Sequence, residues 1–294
     1  MSTWEGKSRG NKLGYAIFVA ILRHLGVKPA YLLLRFIAFY YFITLYQSSA
    51  NLYYLYRHRL KFSRVKALLG IYKNYYRLGQ NIIDKVVVMS GLPHTFTFDF
   101  DGEEHLAEMV RRGTGGILIS GHIGNWEIPG HFLNKFNVPI NIVMYDAERE
   151  QIKEYLDEIT GGRTVKVIAI KNDLSHIFQI SQALNQGELV CMHADRFMPG
   201  NRTLLLDFLG KPAPFPLGPF LIASSLGAPV SYVFGIKETD RHYHLFGSPL
   251  KFFPKTKDEA QLRSIMQEYV QALEQKVKQY PYHWFNYHNF WANP

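Results

Sequence analysis

The sequence predicts an α/β protein with a mixed, largely parallel central sheet flanked by helices, preceded by an N-terminal helical membrane anchor. Two observations predict this organisation. From residue 95 onward, short apolar runs typical of buried strands alternate with segments of helical periodicity. Before that, long apolar segments occur together with all of the excess positive charge.

The N-terminal quarter is basic as well as apolar. Residues 1–73 hold 12 Lys/Arg and one acid, Glu5, whereas the remaining 221 residues hold 21 basic and 23 acidic groups. The segments 15–22 and 30–46 are apolar, the second interrupted by Arg35, and a cluster of basic residues follows. Aromatic and basic residues around apolar helices are typical of a bilayer interface. The cluster comprises Arg57, Arg59, Lys61, Arg64 and Lys66.

These features favour a membrane-associated helical segment over residues 1–60, followed by a second domain over 61–294. Neither apolar segment is a clean run of about 20 residues, so an embedded or interfacial anchor is favoured over a single tilted span. An amphipathic helix packed on the protein's own core is the remaining alternative. Nucleic acid fits the basic residues poorly, because they flank membrane-like segments instead of lining a polar face.

The elements after residue 60 follow from periodicity and turn residues. In the first predicted helix, Val65, Leu68, Leu69 and Tyr72 share one face. Asp101-Gly102 ends the first strand as a turn. Helices are predicted at 63–90, 125–136, 148–159, 174–186, 217–226 and 258–279, and strands at 95–100, 117–120, 140–144, 165–170, 189–192, 228–236 and 241–247.

Composition excludes some chemistry. A single cysteine rules out an intramolecular disulfide framework and fits a reducing compartment. Because Cys191 lies in an apolar run, a buried structural thiol is favoured over a nucleophile that carries an acyl group.

A strand-to-helix turn carries the strongest chemical pattern. A glycine-rich apolar run ends at His122, Asn125 suits the N-cap of the following helix, and Glu127 falls in its first turn. A histidine oriented by a carboxylate can take a proton from a hydroxyl as that hydroxyl attacks a carbonyl carbon. The competing interpretation is a polar loop histidine and a glutamate that only favours the helix dipole.

A second polar pair follows another buried strand. Asp195, like His122, lies at the carboxyl end of a predicted strand, where open α/β sheets place ligand crevices. Asp195 could hold the guanidinium of Arg196 for a phosphate or carboxylate, or the two could form a surface ion pair. Farther on, Phe208 and Phe215 could form an apolar wall for an acyl chain, or ordinary core.

Together these motifs resemble the bacterial late acyltransferases of lipid A biosynthesis (the lauroyl and myristoyl transferases), within the lysophospholipid acyltransferase superfamily. The resemblance covers nearly the whole chain. The matching residues are Gly121-His122, Gly124-Asn125-Trp126-Glu127, Asp195-Arg196, Phe208-Leu209-Gly210, Pro216, Gly218, Ala223, the turn 227–230, and the closing Tyr280-Pro281, Trp284, Phe285 and His288.

The resemblance implies a glycerolipid acyltransferase-like fold at the cell inner membrane, with the catalytic domain on the cytoplasmic face. It implies an acyl thioester donor, acyl carrier protein or coenzyme A, and a lipid acceptor with a free hydroxyl. The mechanism then predicted has His122 as general base, Glu127 orienting it, and donors near Asn125 or Arg196 stabilising the oxyanion. No metal or organic cofactor is implied. The predicted substrate-binding residues are Asn125, Trp126, Asp195, Arg196, Phe208, Gly210 and Phe215.

Two departures bear on the acceptor. The glycerol-phosphate branch of the superfamily ends the H-x4 motif in Asp, and here it ends in Glu127, which disfavours that branch. In lipid A enzymes basic residues usually follow the C-terminal histidine, and here Asn289 and Phe290 do. The resemblance implies a lipid A precursor or a related envelope lipid as the acceptor, and the second departure keeps an aminolipid or a pigment open as alternatives.

Two other functional classes stay open. His122, Glu127, His193 and Asp195 could converge on a zinc ion in a metal-dependent hydrolase, although the sequence lacks H-E-x-x-H and any Cys/His ligand cluster. A non-catalytic lipid-binding protein would explain the anchor but leaves the His–Glu arrangement without a role.

Overall fold

A seven-stranded sheet lies at the centre of the computed structural model, which describes residues 12–125, 128, 136–145, 165–171 and 173–291. The strand order is β1-β9-β8-β2-β5-β3-β4, and among these pairs only β8–β9 is antiparallel. The predicted mixed, largely parallel α/β sheet is therefore confirmed. Its strands are β1 (Thr97–Asp101), β2 (Gly116–Ser120), β3 (Ile140–Tyr145), β4 (Val165–Ile170), β5 (Leu189–His193), β8 (Val230–Lys237) and β9 (His242–Gly247).

Helices flank this sheet. Those over 64–89, 175–185, 218–226 and 259–279 match predicted helices, with Ser63 and Asp258 as N-caps of the first and last. Of the helix predicted at 125–136 only residues 125, 128 and 136 are described, and the one at 148–159 lies outside the described residues. The helices are α1 (Lys12–His24), α2 (Val27–Thr44), α3 (Tyr46–Tyr54), α4 (Arg64–Met89), α5 (Glu103–Arg111), α6 (Ser175–Asn185), α7 (Gly218–Leu226) and α8 (Glu259–Gln279).

A separate hairpin, β6 (Thr203–Phe208) with β7 (Lys211–Pro216), was not expected from the sequence. Three alternate residues of β7 are prolines, which disfavour a strand. In an antiparallel pair, hydrogen-bonded and non-hydrogen-bonded residue pairs alternate along the strands. All three prolines occupy alternate positions, so they can all fall on non-hydrogen-bonded pairs, where their missing N–H groups do not interrupt the bonds to β6. Leu209 and Gly210 close the turn with φ of 52° and 75°, the positive values that a tight hairpin turn of the I′ type requires.

The pairing of β2 with β5 positions the chemistry. The strands are parallel, and Ser120 lies opposite His193. All five residues of β2 are buried, as expected of a central strand covered on both faces. Because His122 and Asp195 each come two residues after this last pair, the register brings them side by side at the carboxyl edge of the sheet.

The N-terminal helices share the core of the rest of the molecule. Leu52, Leu55 and Tyr56 are buried in the same hydrophobic cluster as the strands of the sheet. Helix α2 packs closely on α4, since a Cβ added at Gly79 would lie 2.3 Å from Leu34 Cδ1. The predicted boundary at residue 60 therefore falls within a continuous core.

An apolar surface remains on the outside of these helices. Helix α2 is long and apolar enough to cross a membrane by length and composition, and only 22% of it is buried. In α4 the face predicted from Val65, Leu68 and Leu69 is exposed, while Ala67 and Ile71 on another face are buried. We call this surface the outer apolar face. It consists of Leu32, Phe36, Phe39, Tyr40 and Ile43 of α2 with Val65, Leu68 and Leu69 of α4.

Candidate active site

His122 and Asp195 form a hydrogen-bonded pair at the carboxyl ends of β2 and β5. The ring Nδ1 of His122 lies 2.7 Å from Asp195 Oδ1, and the His122 backbone N–H donates to Oδ2 over 2.8 Å. The carboxylate is 1% exposed, whereas the imidazole is 20% exposed. A buried carboxylate thus orients a histidine that still meets solvent.

A third N–H completes the surroundings of the carboxylate. Trp284 Nε1 donates to Asp195 Oδ2 over 3.0 Å. Burial alone would raise the pKa of the Asp195 carboxyl, but His122, its hydrogen bond and the Arg196 guanidinium hold that pKa well below its ordinary value. Asp195 is therefore an anion that accepts bonds and stabilises positive charge on His122.

Two glycines let the backbone approach this pair. A Cβ at Gly121 would lie 3.1 Å from Asp195 Oδ2 and 3.0 Å from Tyr269 Oη. Gly124 has φ +68°, and a Cβ there would lie 2.0 Å from the carbonyl oxygen of Gly235. The glycines around His122 are thus required by close packing and by the left-handed turn.

The pair opens onto a cleft of about 300 Å³. With Nδ1 engaged by Asp195, Nε2 is the ring nitrogen that can accept a proton from a substrate. One wall of the cleft comes from α4, which the sequence did not connect with the site. The cleft is lined by Leu78, Asn81, Ile82, Lys85, His122, Gly124, Asn125, Arg196, Phe285 and Tyr287.

Asn125 lines the cleft but has two structural bonds. Its Oδ1 accepts the Ile128 backbone N–H at 3.3 Å, as an N-cap does, and its Nδ2 donates to the carbonyl of Asn81 at 3.0 Å. Of the two oxyanion donors predicted from the sequence, Arg196 fits better, because it also lines the cleft and its guanidinium has more N–H groups than the one that donates to the Phe285 carbonyl.

The expected role of Asp195 as a clamp for the Arg196 guanidinium stays a prediction, and the described hydrogen bonds give Asp195 a further role. Both of its carboxylate oxygens accept N–H groups from His122 or Trp284. Asp195 thus has the orienting position that the sequence assigned to Glu127. Glu127 and Trp126 lie outside the described residues, so their predicted roles stay predictions.

Phe208 and Phe215 are fully buried and do not line the cleft formed by the described residues. They belong to an aromatic cluster in which Phe208 contacts Trp284 edge to face at 5.3 Å between ring centroids. Gly210 forms the exposed turn of the hairpin. The predicted acyl-chain wall therefore packs behind Trp284 and supports the site from the core side.

Three potential metal ligands also meet here. One ligand atom each from His122, His193 and Asp195 lies within 4.8 Å of the others. The donor set fits a metal poorly, since the His122–Asp195 separation of 2.7 Å is that of a shared proton. An ion would have to compete with the three N–H groups that the carboxylate now accepts. Proton transfer is the chemistry that this arrangement supports best.

Comparison with known proteins agrees with this chemistry. The chain matches the family described as bacterial lipid A biosynthesis acyltransferase over residues 12–293. It belongs to that family. The resemblance inferred from the motifs is thereby confirmed, and the prediction of an acyltransferase is confirmed at the level of the family.

Individual relatives are more distant. The chain is 26% identical over 129 residues to a phosphatidylinositol mannoside acyltransferase of Mycobacterium tuberculosis, and 24% identical over 126 residues to one of Mycolicibacterium smegmatis. These matches cover 43% and 42% of this chain and 40% and 41% of the relatives, so about two fifths of each relative is matched. The 1-acyl-sn-glycerophosphate acyltransferase PlsC of Thermotoga maritima is 17% identical with a TM-score of 0.41, over 85% of this chain and 98% of PlsC.

Proposed function

We propose that this protein is a membrane-associated O-acyltransferase that moves a fatty acyl chain from an acyl thioester to a hydroxyl of a lipid acceptor. The observation that carries the proposal is the His122–Asp195 pair, which has a buried, hydrogen-bonded carboxylate and an imidazole on a cleft. This is the arrangement that activates a hydroxyl as a nucleophile. Membership of the acyltransferase family supports it.

The proposed reaction has two steps. His122 Nε2 takes the proton of the acceptor hydroxyl as its oxygen attacks the thioester carbonyl carbon, while Asp195 stabilises the imidazolium. Arg196 stabilises the negative oxygen of the tetrahedral intermediate. The intermediate then collapses with cleavage of the C–S bond, and the imidazolium returns its proton to the departing sulfur. The products are the acylated lipid and a free thiol.

The second acid of the motif, Glu127, is proposed to act in the same site. Because Asp195 bonds Nδ1, that aspartate is the residue that sets the tautomer of His122. In the sequence, Glu127 follows His122 by five residues and falls in the first turn of the predicted helix. Variants of both acids, described below, separate their contributions.

The proposed acceptor is a lipid A precursor or a related envelope lipid. The family is described by lipid A, and the curated relatives are named for a phosphatidylinositol mannoside, a phospholipid that carries sugar. The donor is acyl carrier protein or acyl-coenzyme A. An aminolipid or pigment acceptor is the alternative that the residues after His288 leave open.

The outer apolar face supports membrane association. Phe36 and Ile43 are more than half exposed, and they belong to a surface that several large apolar side chains form together. Large exposed apolar surfaces are rare on soluble monomers and often mark contact sites for membranes or proteins. The basic cluster from Arg57 to Lys66 lies in the sequence between α3 and the first turn of α4, and it would meet anionic lipid headgroups. We propose that this face lies in the inner membrane, with the site on its cytoplasmic side.

Reconstitution tests the proposal. Purified protein in liposomes would be given acyl carrier protein or coenzyme A thioesters with a panel of envelope lipids, and products would be identified by mass spectrometry. We expect acyl transfer to at least one hydroxyl-bearing lipid, retained after chelation. Loss of activity in chelator with recovery on adding zinc would favour the metal-dependent hydrolase. Full activity of His122→Ala would refute the proposed base.

A further inference from the structure

We propose that Trp284 is a positioning residue of the site: its indole N–H holds the Asp195 carboxylate at the rotation that brings Oδ1 to His122 Nδ1. The inference rests on the proposed function, in which His122 is the base. It adds a member to the site from the far end of the chain, because Trp284 belongs to the segment after α8.

The geometry of the carboxylate explains why a third donor matters. The terminal torsion of an aspartate side chain is soft, so the carboxylate plane needs external bonds to define it. Oδ2 accepts two such bonds, from the His122 backbone at 2.8 Å and from Trp284 Nε1 at 3.0 Å. Both carboxylate and indole are almost fully buried, so water cannot readily replace a lost donor.

Trp284 is itself held by the surrounding backbone. Asn74 Nδ2 on α4 donates to the Trp284 carbonyl at 3.0 Å, and Trp284 forms an antiparallel bridge with Ile123 in the His122 turn. The Phe285 backbone N–H donates to the His122 carbonyl at 2.8 Å. The C-terminal segment is thus bonded to the His122 turn on one side and to the α4 wall on the other.

Trp291 supplies a matched control. It is 6% exposed, compared with 1% for Trp284, and its ring centroid lies 6.1 Å from that of Trp284 in the same aromatic cluster. Its indole N–H donates to the Phe208 carbonyl at 3.2 Å instead of to Asp195. Phenylalanine at either position removes one indole N–H and the same ring volume, but only Trp284→Phe changes the carboxylate.

Three titratable groups around the His122–Asp195 pair do not change their protonation state near neutral pH. Burial lowers the pKa of His193 to about 3 and that of His288 to about 4, and raises the pKa of Tyr269 well above its ordinary value. These groups therefore keep one protonation state near neutral pH. Within the part of the chain that the structure describes, the charged side chains that share the cleft with His122 are Arg196 and Lys85.

The test measures kcat, KM and the pH profile of Trp284→Phe and Trp291→Phe in the reconstituted assay. For Trp284→Phe we expect kcat to fall about ten- to hundred-fold, the weight of one hydrogen bond to a charged group, with KM for both substrates nearly unchanged. The acid limb of log kcat should move to higher pH, since a carboxylate that has lost a donor attracts a proton on His122 more strongly. Trp291→Phe should keep the wild-type kcat and profile.

A second variant removes the N–H without leaving a cavity. Site-specific incorporation of 3-benzothienyl-alanine at position 284 replaces the indole N–H by sulfur at almost the same volume. It should reproduce the kcat loss of Trp284→Phe, even if the phenylalanine variant folds poorly. Wild-type kcat in this variant, or equal effects of Trp284→Phe and Trp291→Phe, would overturn the positioning role. Full activity of His122→Ala would instead overturn the proposed function beneath it.

Discussion

Two buried carboxylates in this molecule have opposite chemical situations. Asp195 and Asp84 are both almost completely buried, and each accepts three hydrogen bonds. Burial raises the pKa of Asp84 despite the bonds it accepts, whereas the pKa of Asp195 lies below its ordinary value. Burial of a carboxylate by itself therefore does not identify a functional site.

The partners and the access explain the difference. Asp84 on α4 accepts from Lys237 Nζ at 2.5 Å, from Tyr243 Oη at 2.5 Å and from Tyr31 Oη. Lys237 is fully buried, and burial lowers its pKa. Among the residues that the structure describes, none of these four lines the cleft. The Asp84 cluster joins α2, α4, β8 and β9, whereas the His122 side of the Asp195 cluster meets the cleft.

The largest expected effect is a loss of activity when the Asp195 cluster, which meets the cleft, is changed. His122→Ala should lower the transfer rate by about 10²–10⁴, the usual contribution of a general base. Because the imidazole lies at the cleft, the melting temperature should change little. Product formation by mass spectrometry and thermal unfolding of the same preparation measure both. A variant that unfolds in parallel with its loss of activity would remove the distinction between the two clusters.

Variants of Asp195 and Glu127 test which acid acts through His122. Asp195→Asn should also lose activity by roughly 10²–10⁴, because an amide can present the wrong group to Nδ1. Glu127→Gln tests the sequence motif directly. If both acids act through His122, the double variant should be hardly slower than the slower single variant, since residues that act as a unit are non-additive. Multiplicative losses would show that Glu127 acts elsewhere in the reaction.

Changes in the buried Asp84 cluster are expected to lower the stability of the fold. Lys237→Met leaves Asp84 without its cationic partner and should cost about 3–5 kcal/mol of unfolding free energy, with activity per folded molecule retained. Lys251→Met is the control, because its bond to Glu268 is solvent-exposed and such pairs contribute about 0–1 kcal/mol. Denaturant unfolding measures both. Equal costs would show that the Asp84 cluster does not lock the helices to the sheet.

A smaller effect is expected at the outer apolar face. Phe36→Glu should weaken liposome binding by about ten- to hundred-fold, since burying a phenylalanine contributes roughly 1.5–3 kcal/mol. Phe178 on α6 is similarly exposed but lies outside this face, so Phe178→Glu is the matched control. Sedimentation with anionic vesicles gives the comparison. Equal binding of the two variants would argue that α2 and α4 do not contact lipid.

The smallest expected effect is a pH dependence of opposite sign at the two aspartates. The depressed pKa of Asp195 contributes stability above its unfolded value of about 3.9, which is lost as pH falls toward the folded pKa. The raised pKa of Asp84 has the reverse consequence, because the folded state takes up a proton first. Relative to Asp195→Asn, wild type should therefore lose stability on acidification. Relative to Asp84→Asn it should gain, each by at most about 1.4 kcal/mol per pH unit. Slopes of the same sign would contradict the comparison.

Much of this architecture was predictable from local pattern. Alternation and helical periodicity predicted the strands of the central sheet and the helix over 64–89. Hairpin β6–β7 was not predicted, because the alternate prolines of β7 disfavour a strand. Helix α5 was also missed, between a predicted turn and the next strand. The sequence also predicted that His122 and Asp195 would meet at one edge of the sheet, and the structure brings these two side chains together.

The sequence by itself determined most of the element types, because backbone periodicity acts between neighbours in the chain. Only the tertiary structure decided the partner of the histidine. The register of β2 on β5 delivers Asp195, and the C-terminal segment delivers Trp284. The tertiary structure also decided that Val65 and Leu68 face outward. An apolar stripe in a helix sequence indicates that one face of the helix avoids water. Only the packing of the helix against its neighbours determines whether protein or lipid covers that face.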